Sequence, residues 1–90
     1  MVRFTKNLQR YVECPPTEIA DVPGGTVAQV LAAYFTQYEN VRHYVLDDQG
    51  AARRHIAIFI GDHTIADRIH LSDPVGASDE IYVMQALSGG

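Results

Sequence analysis

Several things are scarce in this 90-residue chain, and each scarcity closes a class of function. There is one cysteine, Cys14, so no disulfide can form within the chain and nothing argues for an oxidising compartment. No apolar run comes near the roughly 20 residues that a membrane-crossing helix needs. The opening MVRFTKNLQR lacks the apolar stretch of a secretory signal, so a cytoplasmic protein is expected. Positive charge is also sparse: seven Lys and Arg against eleven Asp and Glu give a formal charge of −4, and only Arg53 and Arg54 are adjacent. Nucleic-acid binding draws on a concentrated basic face, and the sequence displays none. The four histidines, His43, His55, His63 and His70, stand 12, 8 and 7 residues apart. Those gaps do not fit the short ligand pairs of common zinc sites, and no second cysteine helps, so no metal site is expected.

What is present is enough for one domain with a single core, in which somewhat more than about 60% of the unfolded surface becomes buried. The strongest local signal is a helix. Val27, Val30, Leu31, Tyr34, Phe35 and Tyr38 form one stripe on a 3.6-residue period. Thr26 is placed to cap it, and Gln29 follows three residues on, which makes a capping box; Glu39-Asn40 is expected to close it. A stripe this wide needs a flat apolar partner, most simply a sheet. The clearest strand is RRHIAIFIGD, where Ile56, Ile58 and Ile60 point one way and His55, Ala57 and Phe59 the other. Glu80 to Leu87 reads as the last strand, with Ile81 and Val83 opposing Tyr82 and Met84. Val2 to Thr5 reads as the first strand, Asn7 to Pro16 as a long loop, and Thr17 to Val22 as a second strand ended by DVPGG. Val41 to Leu46 suggests a short helical turn, DDQG a polar turn, His63 to Ala66 a short strand, and Asp67 to Gly76 irregular chain. The order predicts an α+β fold: a sheet of four or five strands with one main helix on one face. The other face then carries Phe59, Tyr82 and Met84, and no second helix of similar strength covers it, which points to a partner surface.

The chain shows no nucleophile and base arranged for catalysis. Cys14 has only Glu13 and two prolines beside it, which do not activate a thiol. Asp47-Asp48 and Asp79-Glu80 sit beside turn residues and read as solvated turns. Gly24-Gly25 lacks the lysine of a phosphate-binding loop and reads as the turn into the helix. The ending QALSGG is different. Glycine loses more entropy on ordering than any other residue, yet Gly89-Gly90 follows the last strand across Ser88 alone. Either the two glycines are accidental, or small residues there let a slim tail enter a narrow channel and present the main-chain carboxylate of Gly90 as a reactive group.

Three segments in this order, GGTVAQVLAAYFTQY, VRHYVLDDQGAARRHIAIFIGD and ASDEIYVMQALSGG, resemble the MoaD/ThiS family of ubiquitin-like sulfur carrier proteins. The resemblance covers nearly the whole chain. It implies a β-grasp (ubiquitin-like) domain over residues 1–87 with a tail at 88–90, and first and last strands lying parallel at the centre of a mixed sheet. It also implies a carrier rather than an enzyme, with no bound cofactor. A ubiquitin-activating-type partner uses ATP to adenylate the Gly90 carboxylate, and a persulfide donor supplies sulfur to form a thiocarboxylate. A synthase then accepts that sulfur for molybdopterin, thiamine, cysteine or thio-metabolite synthesis. Gly89 and Ser88 make the tail, and Phe59, Tyr82, Met84 and Leu87 are the expected anchors for partners, with neither nucleic acid nor membrane among them. Two other fates stay open: a modifier joined through Gly90 to lysines of other proteins, and a non-covalent ubiquitin-like interaction domain whose tail is idle.

Overall fold

The computed structural model describes residues 1–19, 25–76 and 78–85. Alternation in the sequence becomes alternation across a sheet. Strand β1 (Val2–Phe4) buries Val2 and Phe4 and exposes Arg3. Strand β2 (Ile56–Ile60) buries its three isoleucines and leaves Ala57 and Phe59 half-buried on the other side. Gly61, at a φ of +62° where a side chain would be strained, turns the chain into the two-residue β3 (His63–Thr64). Strand β4 (Ile81–Gln85) buries Ile81 and Val83. The sheet order is β1-β4-β2-β3. β4 is therefore interior, parallel to β1 through Val2↔Ile81, Arg3↔Tyr82 and Phe4↔Val83, and antiparallel to β2 from Ile56↔Gln85 to Ile60↔Ile81.

Helix α2 (Val27–Gln37) is the main helix, and its cap is the capping box expected from Thr26 and Gln29. Its first-turn donors, which have no partner within a helix, are all satisfied. Val27 N–H donates to Asp73 O at 3.0 Å and Ala28 N–H to Leu71 O at 2.9 Å. Gln29 N–H donates to Thr26 Oγ1 at 3.2 Å, and Gln29 Oε1 accepts from Thr26 N–H at 3.1 Å. The helix buries Val27, Leu31, Tyr34 and Phe35 into one core with Val2, Phe4, Ile56, Ile58, Ile81 and Val83. Tyr34 is its hub: the ring lies 5.0 Å from Phe4 and 5.1 Å from Tyr38, and the hydroxyl donates to Pro15 O at 2.8 Å. Burial, more than its neighbours Cys14 and Tyr38, pushes the Tyr34 hydroxyl well above its ordinary pKa. The helix stops at Tyr38, ahead of the expected Glu39-Asn40, and a 3-10 turn (Glu39–Val41) leads into α3 (Arg42–Val45). Val41, Val45 and Leu46 carry this segment into the core. Asp47 Oδ1 then accepts from the amides of Gln49 and Ala51, which makes DDQG the polar turn its composition suggested.

Two expectations are corrected. The stretch from Asn7 is not simply loop, because Lys6–Gln9 forms a short helix, α1. Leu8 is fully buried and its carbonyl accepts from Tyr11 and Val12, while Gln9 Nε2 donates back to Phe4 O. One apolar residue in one turn leaves no periodicity to read. Nor do residues 17–19 form a strand. Thr17 bridges Val2, exchanging hydrogen bonds of 2.9 and 3.1 Å, and is the one partner on the outer side of β1 among the described residues. Residues 20–22 of that expected strand lie outside the described residues. The first and last strands do run parallel, but only β4 lies in the interior; β1, expected at the centre beside it, is the outer strand of the four, next to this bridge.

The irregular segment from Asp67 to Gly76 is held by two carboxylates. Asp73 accepts from the amides of Ala66 and Asp67; Asp67 accepts from the amides of Ile69 and His70 and from the Ser72 hydroxyl. This fixes Leu71 at a φ of +53°, a conformation that costs a non-glycine residue about 1–3 kcal/mol, and aims its carbonyl at α2. The His70 amide first, then the Ser72 hydroxyl and other amides, hold the Asp67 carboxyl down to about 2; the amides of Ala66 and Asp67 lower that of Asp73. A lowered folded-state pKa stabilises the fold above the ordinary carboxylate range and is lost as pH falls through the folded value. Thermal unfolding followed from about pH 5 to about pH 2 should therefore show wild type losing more of its midpoint than Asp67→Asn, which keeps an acceptor oxygen but cannot titrate. Equal losses contradict this assignment.

Cys14 is 2% exposed, and burial pushes its thiol up to about 11. In the native protein a disulfide reagent should label Cys14 only as fast as the core opens, and immediately in denaturant. Labelling of the native protein at the rate of a free thiol would contradict that.

Candidate functional site

The sheet has two unlike faces. One carries the isoleucines of β2 with Ile81 and Val83 and is closed by α2. On the other, the register sets Phe59 directly across from Tyr82 and Ala57 across from Met84, while Arg3 stands beside Tyr82 on the neighbouring strand. Phe59 and Tyr82 are half-buried. Met84 is 39% exposed, an unusual fraction for a long apolar side chain in an interior strand. Three of the four expected anchors thus share one surface. At its edge Arg3 Nε meets Glu80 Oε1 at 2.7 Å, with both side chains half exposed, where such pairs add about 0–1 kcal/mol. That pair escapes a reading of the sequence, because it forms only once β1 and β4 lie parallel.

The position of the chain's exit matters as much. β4 is bonded on both sides up to Gln85, whose N–H donates to Thr5 Oγ1 at 3.2 Å and which stands opposite Ile56. Gln85 thus stands in the interior of the sheet, bonded to the Thr5 side chain on the β1 side and opposite Ile56 on the β2 side. Leu87, Ser88, Gly89 and Gly90, and with them the boundary expected between a domain and a tail, lie outside the described residues.

Nothing else among the described residues makes a reaction centre. No group of three or more His, Cys, Asp or Glu gathers in them as for a metal ion, and no helix in them is long and apolar enough to cross a membrane. A groove of about 330 Å³ runs beside α2 between Phe35, Leu46 and Leu71. Thr36 and His70 line it, but the Thr36 hydroxyl is used on Ala33 O at 2.7 Å. Among the described residues the surface thus shows an exposed apolar face and the end of an interior strand.

Neither a protein-family model nor a curated protein sequence matches the chain. Solved structures do. SAMP1 from Haloferax volcanii superposes with a TM-score of 0.80 at 23% identity, over 99% of this chain and 96% of that one. A second structure, of H. volcanii small archaeal modifier protein 1, gives 0.77 at 21% identity, over 96% and 94%. A chain of the Amycolatopsis orientalis BexX/CysO complex gives 0.74 at 15% identity, over the full length of both. These neighbours are ubiquitin-like proteins of the MoaD/ThiS carrier and modifier type, the kind the sequence resembles. A mixed four-stranded sheet, its last strand interior and parallel to its first, with one main helix across one face, gives this chain the ubiquitin-like β-grasp fold.

Proposed function

We propose that the protein is a sulfur carrier that works through the carboxylate of Gly90. The observation that carries this reading is the exit of the chain: an interior strand, held on both sides to Gln85, is followed by a sequence that ends Leu87-Ser88-Gly89-Gly90. The likeness to SAMP1 and CysO supports it. A carboxylate is a poor electrophile. An adenylating partner joins it to the α-phosphate of ATP, releasing pyrophosphate, and so supplies AMP as a leaving group. The terminal sulfur of a persulfide attacks the acyl carbon, AMP departs, and a thiol cleaves the S–S bond of the acyl disulfide to leave the thiocarboxylate. A synthase then takes the sulfur. The carrier contributes no acid, base or metal. It contributes a narrow end, where a Cβ at position 89 or 90 meets the channel wall, and a face by which partners hold it. Phe59, Tyr82 and Met84 are the anchors of that face, and Leu87 leads into the channel. CysO is seen in complex with BexX; by analogy, the acceptor here is a separate enzyme.

A second reading shares the activation step. SAMP1 is named a modifier protein, and a lysine amine attacking the same adenylate gives an isopeptide bond through Gly90. Coexpression with the adenylating enzyme of the same genome separates the fates. A carrier shows an intact mass raised by the difference between sulfur and oxygen, with no ladder of tagged proteins on denaturing gels. A modifier shows the ladder. The unmodified mass alone, without ladders, would contradict both.

Two substitutions test the parts. Gly89→Val leaves the thermal midpoint unchanged and lowers thiocarboxylate formation by about 10²-fold, the cost of a small misplacement at a reacting centre. Met84→Asp also leaves the fold intact, since Met84 is exposed, but weakens binding to the adenylating enzyme by about 2 kcal/mol in titration calorimetry. Wild-type values for either variant would remove that residue from the mechanism.

A further inference from the structure

The basic residues that looked scattered along the chain are gathered by the topology. β1 and β4 end, and β2 begins, on the same side of the sheet: Thr5 N–H donates to Val83 O, Gln85 N–H to Thr5 Oγ1, and Gln85 stands opposite Ile56. Lys6 follows Thr5 and starts α1, which Arg10 ends. Arg54 and His55 immediately precede Ile56. Gln85, the last described residue, therefore stands between two pairs of exposed side chains, Lys6 and Arg10 on one flank and Arg54 with His55 on the other. Arg53 backs the second pair. Its carbonyl accepts from Ile56 N–H at 2.9 Å and from Arg68 Nη2 at 2.8 Å, and its own Nε donates to His43 O at 2.6 Å, which pins the turn that presents Arg54.

Among the described residues no carboxylate pairs with Lys6, Arg10 or Arg54. Lys6 and Arg10 also stand four residues apart on one turn, a spacing at which like charges repel. The opposite end of the same strands is acidic: Glu18 contacts the Met1 amine, Glu80 pairs with Arg3, and Asp62 and Asp79 lie in the turns beside them. Ile81 to Gln85 spans about 13 Å at strand rise, more than the Debye length of about 8 Å at physiological salt. A partner near one end thus feels mainly that end. In a chain of net charge −4, this arrangement is a dipole that points the exit of the tail toward negative potential.

We propose that the cationic end formed by Lys6, Arg10 and Arg54 docks on an acidic protein rim around the channel that receives the C-terminal tail, and steers the carrier to approach tail first. This rests on the carrier reading above and adds the charge of the partner's rim to it. Rim charges act chiefly on the rate of association and its salt dependence.

The test uses the full chain and the adenylating enzyme of the same genome, with association followed by stopped flow from low to high salt. The double variant Lys6→Glu/Arg54→Glu is compared with Arg42→Glu, a control with a charge change on α3. Circular dichroism checks that each variant is folded. The double variant should associate at least about tenfold more slowly at low salt, with a flattened salt dependence and a nearly unchanged dissociation rate; the control should stay close to wild type. Equal association rates, a wild type without salt dependence, or a double variant altered only in binding a labelled RNA oligonucleotide would overturn the proposal. Thiocarboxylate is read separately by intact mass. Salt-dependent binding of wild type without any thiocarboxylate would overturn the carrier reading and leave the docking rim standing.

Discussion

The architecture depends on the pairing of β4 with a strand on each side. A strand bonded on one edge only is free to peel and to pair with other chains. β4 has neither freedom: β1 holds it in parallel and β2 in antiparallel register. Its inward residues Ile81 and Val83 are buried, so a register slip by one residue would carry both to the solvent face. The last described residue, Gln85, is therefore a defined point in space from which the rest of the chain departs.

The rest of the fold supports it. α2 closes one face, so the face proposed for partners is the other. The helix is itself held by the segment around Asp67 and Asp73, which lends two backbone carbonyls to its first turn. A strained backbone at Leu71 is tolerated because it answers a donor that otherwise has no partner within the helix. The docking face and the tail exit thus sit on one rigid body, and the proposed chemistry needs that: binding energy on Phe59, Tyr82 and Met84 can then be used to hold a distant carboxylate in place.

Much of this was legible in the sequence where the signal is local. The stripe from Val27 to Tyr38 with its Thr26–Gln29 cap, the isoleucine alternation of β2 and the alternation of β4 each state their own structure and face. What was not legible involves partners far apart in the chain. α1 buries only Leu8, so its single turn has no period. Thr17 reaches one residue of β1 rather than forming a strand. The Arg3–Glu80 pair and the carbonyls of Leu71 and Asp73 take their roles from residues brought together by folding. Charge shows the point most clearly. Sequence order leaves Lys6, Arg10 and Arg54 dispersed; the pairing of β4 with β1 on one side and β2 on the other collects them beside Gln85. The shared face of Phe59, Tyr82 and Met84 was legible because alternation alone assigns a face, whereas Leu87 and residues 88–90 lie outside the described residues.

The account turns on Gly90 being the group that a partner activates. The most direct measurement is exchange of labelled pyrophosphate into ATP by the adenylating enzyme, with and without this chain. The account predicts exchange that rises saturably with the full chain and is absent with a chain ending at Ser88. No stimulation by the full chain, or equal stimulation by the shortened one, would contradict it.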